Sequence, residues 1–170
     1  KTLTFGLIFC LLSFNAQAHD GHKKDIVETA IYGGIFKSFI AAIKAADFID
    51  TLREKGQLTV FAPTDEAFSK LPTGTFEALL KPENKKMLTD TLKYHVIKAR
   101  IPTKKISDGT VQLKMLNKKQ ATLSSKDGKV TINKAKIIKA DMMAKNGIFH
   151  IIDEVLLPPG QNKKTPLKRD

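Results

Sequence analysis

Apolar residues in this chain recur with two different periods, and the change falls at Pro102. Before it they are spaced by three and four, the stripe of one helix face; after it they alternate, as in half-buried strands. Ile26, Val27, Ala30 and Ile31 open the first part, Gly33-Gly34 interrupts, and Ile35, Phe36, Phe39, Ile40 and Ile43 resume, which predicts two helices broken at the glycines. A third helix is predicted over Asp47 to Lys55, with Asp47 as N-cap and Gly56 in the position that ends helices. Leu58-Thr59-Val60-Phe61 reads as a buried strand stopped by Pro63. Thr64 then caps a helix whose first turn carries Asp65 and Glu66. Two more helices are predicted, over Thr75 to Leu80 and over Glu83 to Val96, the latter with Met87, Leu88, Thr91, Leu92 and His95 on one side.

Beyond Pro102 the alternating positions are Val111, Leu113 and Met115, then Ala121 and Leu123, then Val130 and Ile132. The phase shifts at Asn133-Lys134, which predicts a turn or bulge before Ile137 and Ile138. Asp127-Gly128 and Asn146-Gly147 are turn signals, and Ile148 to Leu157 is a nearly continuous apolar strand closed by Pro158-Pro159. Helices first and strands afterwards, without regular alternation, specify an α+β fold.

The chain ends are of another character. Lys1, the apolar run Phe5 to Phe14 and Ala16-Gln17-Ala18 follow the order of a secretory signal peptide, so residues 1–18 are expected to be removed by cleavage near Ala18. That run is too short to cross roughly 30 Å of hydrocarbon, and no later segment reaches the ~20 apolar residues needed, so no transmembrane segment is expected. Cys10 lies within the run, so the chain from His19 onward has no cysteine and takes its stability from a packed core. At 42% hydrophobic and 27% charged, the composition supports such a core and argues against disorder. Residues 19–24 read as a flexible leader, 25–159 as one domain and 160–170 as a basic disordered tail. The expected state is a secreted monomer, periplasmic or extracellular.

The net charge of +12 is concentrated in the strand half. Between Lys98 and Lys145 thirteen Lys or Arg face only Asp108, Asp127 and Asp141, a balance of +10. Such a field attracts anionic polymers through many weak contacts and fades within about 8 Å at physiological ionic strength. Lys114, Lys118, Lys119, Lys134, Lys136 and Lys139 are the candidate contacts. With three Arg in the chain and few aromatics, bidentate phosphate recognition and base stacking are disfavoured, and no nucleic acid is expected. An acidic polysaccharide or an anionic envelope surface fits better.

Two segments, Thr59-Val60-Phe61-Ala62-Pro63-Thr64-Asp65-Glu66-Ala67-Phe68 and Asn146-Gly147-Ile148-Phe149-His150-Ile151-Ile152-Asp153-Glu154-Val155-Leu156-Leu157-Pro158-Pro159, resemble the two signatures of the fasciclin domain family. Leu92-Lys93-Tyr94-His95-Val96 between them is similar to the family's Tyr-His element. The resemblance spans Asp25 to Pro159. It implies helices packed around a wedge of two β-sheets, and a secreted or surface-anchored interaction module that binds cell-surface or matrix components without catalysing a reaction.

By that resemblance Tyr94 and His95 are adhesion candidates, and Asp141-Met142 stands where the family's other adhesion element has Asp-Ile. Met142 in place of Ile weakens a direct transfer of that role. The signature residues Thr64, Asp65, Phe68, Asn146, Gly147, His150 and Asp153 read as structural, with His150 and Asp153 on opposite faces of the last strand. No Ser or Cys elbow, Gly-rich phosphate loop or paired-carboxylate motif is present, so neither an enzyme nor a cofactor is expected. The alternative function is copper binding by an exported protein, with His19, His22 and a free amine at His19 as ligands.

Overall fold

A computed structural model describes residues 24–161 apart from 55, 104, 105 and 107. The expected signal peptide, the leader with His19 and His22, and the tail from residue 162 onward lie outside the described residues.

The first helix, α1 (Ile26–Gly33), is closed at its start by a capping box. The Asp25 carboxylate accepts the Glu28 N–H at 2.8 Å and the Glu28 carboxylate accepts the Asp25 N–H at 3.0 Å. Gly34, at φ 70°, ends it in the left-handed conformation that glycine adopts without a Cβ clash. The next helix, α2 (Lys37–Ala45), has Phe36 as N-cap and no cap side chain of its own. The capping group comes from afar: Asp65 accepts the Ser38 N–H at 2.7 Å and the Lys37 N–H at 3.3 Å. Asp65 opens α4 (Asp65–Ser69), whose own cap is Thr64, its hydroxyl accepting the Ala67 N–H at 3.2 Å. The Asp65 carboxylate thus caps a helix other than its own. Burial pushes the Asp65 carboxyl up, but the bonds from Ser38 and Lys37 and the Lys37 charge hold it below its ordinary value.

Asp47 does not cap α3 (Ile49–Arg53). It sits at φ 52° and turns the chain out of α2, its N–H bonded to the Lys44 carbonyl at 3.1 Å, and α3 is shorter than the sequence suggests. After α5 (Thr75–Leu80) and a 3₁₀ turn, α6 (Lys85–Lys93) ends before Tyr94. Val96 is not helical. It belongs to β2 (Val96–Ile97), which pairs antiparallel with β1 (Leu58–Pro63), and pairing with a central strand overrides the helical pattern there. Pro63 is the last residue of β1 rather than its stop, opposite Ile152.

The remaining strands are β3 (Gly109–Lys114), β4 (Gln120–Lys126), β5 (Lys129–Ile132), β6 (Ala135–Ala144) and β7 (Gly147–Ile152). They run β2-β1-β7-β6-β5-β4-β3 in one seven-stranded order, with β1 parallel to β7 and every other pair antiparallel. The fold is α+β. The two sheets of the expected wedge share β6: its start pairs with β5, its end with β7, and register shifts at Ile137, Lys139 and Met142 bend it between them. The bend lets β1 and β7 bury both faces. Val60, Phe149 and Ile151 join the helix-side core with Phe36, Phe39 and Leu52, while Phe61 and Ile152 join Leu123, Ile132 and Tyr94 in the second core.

Several expected turns shift. The β4–β5 hairpin turns at Asp127-Gly128, both with positive φ, as expected. Asn133-Lys134 is a hairpin turn between paired Ile132 and Ala135. The β6–β7 turn is Lys145-Asn146, because Gly147 already belongs to β7, beside Leu58 of β1. β7 stops at Ile152, so Asp153 lies past the strand and not on one of its faces. Met115 is buried one residue past β3, and Val111 on that edge strand is 48% exposed.

Candidate functional site

The chain between α6 and β2 carries Tyr94 and His95, and the structure buries both to 1% exposure. The Tyr94 hydroxyl donates to the Gln120 carbonyl at 2.7 Å and accepts from Asn133 Nδ2 at 3.1 Å. One phenol thereby ties the start of β4 to the β5–β6 turn. His95 Nε2 accepts the Leu156 N–H at 3.0 Å, so its proton is on Nδ1, which donates to the Thr91 carbonyl at 2.8 Å. Burial pushes the imidazole down to about 4, against the opposing pull of the Thr91 bond. His95 is a neutral strut between α6 and the segment after β7. Neither side chain reaches solvent.

His150 on β7 is used in the same way. Its Nδ1 accepts the Asp141 N–H at 3.1 Å and its Nε2 donates to the Ile101 carbonyl at 3.0 Å. Burial lowers its pKa, against the Ile101 bond and the Asp141 charge. Asp141, at φ 56°, binds Thr103 through both carboxylate oxygens, one taking the N–H at 2.9 Å and the other the hydroxyl. Together these groups hold residues 101–103 against β6. Met142 is half-buried against the helix-side core.

Asn146 links two helices to the β6–β7 turn: its Oδ1 accepts the Ile26 N–H at 3.0 Å and its Nδ2 donates to the Leu52 carbonyl at 2.7 Å. Gly147 is required by space, since a Cβ there would lie 2.1 Å from the Leu58 carbonyl oxygen. Phe68 packs on Phe76 with ring centroids 4.8 Å apart. Asp153 accepts the Lys136 N–H at 2.7 Å and lies 3.7 Å from the Lys70 ammonium. Among the described residues no group of His, Cys, Asp and Glu has the arrangement of a metal site, and no helix is long and apolar enough to cross a membrane.

The lysines are therefore the candidates that meet solvent. Lys114, Lys118, Lys134, Lys136 and Lys139 are exposed. Lys119 is paired: its ammonium lies 3.0 Å from the Asp90 carboxylate and its side chain is partly covered. Strand register adds Lys126 and Lys129 to the six lysines expected from the sequence, a cross-strand pair fixed by the Asp127-Gly128 hairpin. Lys114 and Gln120 pair at the other end of the same surface, and Lys136 pairs with Thr131. The outward side of β3 to β6 thus gathers ammonium groups and hydroxyls, while Ala121, Leu123, Ile132 and Ala135 face the second core.

The fasciclin domain model matches residues 34–158. Protein sll1483 of Synechocystis is 45% identical over 144 residues, covering 85% of this chain and 79% of that protein. The transforming growth factor-beta-induced protein ig-h3 of Sus scrofa is 44% identical over 124 residues, which are 73% of this chain but only 18% of that much longer protein. The immunogenic protein MPB70 of Mycobacterium bovis is 34% identical over 113 residues, covering 66% of this chain and 55% of its own length. In fold, the chain is similar to a FAS1 domain pair from the insect cell adhesion molecule fasciclin I, with a TM-score of 0.60 at 22% identity over 79% of this chain and 51% of that one. The family model covers most of the chain and the relatives match over the same stretch: the chain belongs to the fasciclin domain family.

Proposed function

We propose that the protein is a secreted, non-enzymatic adhesion module that attaches to a cell-surface or matrix component through the lysine-rich half of its sheet. The observation that carries this reading is the placement of charge. The family's polar signature residues are spent on holding the fold, whereas the ammonium groups of β3 to β6 stand on the surface. Kinship to a molecule described as a cell adhesion molecule supports the same class of function. Between Gly109 and Ala144 the chain carries lysines but no arginine and no aromatic ring, which favours a polyanion bound by field over a base or phosphate read by geometry.

The test is binding of the protein to acidic and neutral polysaccharides across a salt series. Binding to the acidic polymers that weakens steadily as salt rises is expected. Equal binding to neutral and acidic polymers, or none to either, would contradict the reading.

A further inference from the structure

The outward face of the β3–β6 ladder has an order that its charge alone does not require. Thr110, Ser124, Thr131 and Lys136 are successive cross-strand partners, so they form one row across all four strands. Thr110 and Ser124 hydroxyls are 3.4 Å apart. In the adjacent row Gln112 Nε2 donates to the Thr122 hydroxyl at 2.9 Å. Lys114 and the Lys126–Lys129 pair flank these rows. Among the described residues no carboxylate forms an ion pair with Lys114, Lys126, Lys129 or Lys136. At roughly 4.8 Å between strands and about 3.4 Å per residue, the face measures about 14 Å by 17 Å.

We infer that this face is a docking platform for the chain of a carboxylated or sulfated polysaccharide laid flat across it, with hydroxyl and amide rows at the centre and lysines at the rim. The inference rests on the function proposed above and gives it a place. Hydroxyls and amides both donate and accept, which suits sugar hydroxyls, while the lysines supply attraction to the anionic groups. No aromatic ring lies on the face, so neutral sugars and nucleobases lack a stacking surface. The exposed large apolar residues of β3 and β6 among the described residues are Val111, Ile138 and Met143, scattered and too few to anchor the face in lipid. Beneath the platform the Tyr94 hydroxyl joins the Gln120 carbonyl to the Asn133 side chain.

The test compares two sets of Lys→Gln variants of equal charge loss, made in the full chain. One alters Lys114, Lys126, Lys129 and Lys136; the other alters Lys37, Lys44, Lys86 and Lys145, exposed lysines away from the face. A third variant, Thr131→Glu, puts a carboxylate in the centre of it, and circular dichroism checks that all remain folded. Binding is measured to polygalacturonate and to dextran sulfate, which separates carboxylate from sulfate recognition, with dextran, a DNA duplex and anionic phospholipid vesicles alongside. The platform set and Thr131→Glu are expected to weaken polysaccharide binding roughly tenfold or more, while the second set stays within about threefold. Equal loss in the two sets would overturn the platform but leave polyanion adhesion standing. Binding to DNA or vesicles alone would overturn the choice of ligand, and no binding to any polyanion would overturn both the platform and the function on which it rests.

Discussion

Acid should loosen this protein through a group at its centre. In the folded state His95 takes up a proton only near pH 4, because its ring is buried between α6 and the segment after β7, while an exposed histidine does so near 6.5. Between those values the unfolded chain holds more protons, so stability increases with pH there. The contribution is complete above about pH 6.5 and is lost as pH falls toward 4. The interval is worth about 3 kcal/mol, a large share of the ~5–15 kcal/mol that stabilises a typical domain. His150, also lowered by burial, adds in the same direction. Asp65 acts below its ordinary value of 3.8, outside this window. Urea unfolding followed by circular dichroism at a series of pH values should show the unfolding free energy falling steadily from neutral pH to pH 4. His95→Gln should be less stable at neutral pH but show a flatter dependence, leaving the slope due to His150. A variant with the full wild-type slope would refute the assignment to His95.

Three further outcomes follow from single contacts. Gly147→Ala should cost upwards of about 3 kcal/mol or abolish folding, because its Cβ would meet the Leu58 carbonyl and neither backbone can move without separating β1 from β7; thermal unfolding measures it. Tyr94→Phe should destabilise by about 1 kcal/mol in denaturant unfolding and speed amide exchange at the β5–β6 turn, where Asn133 Nδ2 loses its acceptor. Asn146→Ala should cost about 1–3 kcal/mol, since it strips a partner from both Ile26 and Leu52, and a thermal shift within error of wild type would refute that link.

Local signals were legible where the deciding contact is local. Gly34, Thr64 and Asp127-Gly128 play the parts expected of them, because a left-handed cap, an N-cap and a hairpin turn depend on neighbours a few residues away. Asp47 has the composition of an N-cap too, but the αL turn after α2 claimed it. Val96 continued a helical stripe, and its pairing with Val60 across the sheet decided otherwise. The same limit applies to the candidate site. Nothing near Lys119 in sequence announces Asp90, and nothing near Asp65 announces the start of α2. Tyr94 and His95 could be recognised as a motif, whereas their burial follows from Gln120, Asn133 and Leu156, all distant in the chain. Lys126 and Lys129 were within reach, since the parity of alternating residues places them opposite Leu123 and Ile132.

The most direct test of attachment through the strand half is to map it. Backbone amide resonances of the isotopically labelled protein would be followed as short polygalacturonate chains are added at physiological salt. The expected result is a set of shifts confined to residues 109–138, with the amides of α1 to α6 silent. Shifts centred on the helices, or none at saturating ligand, would contradict it.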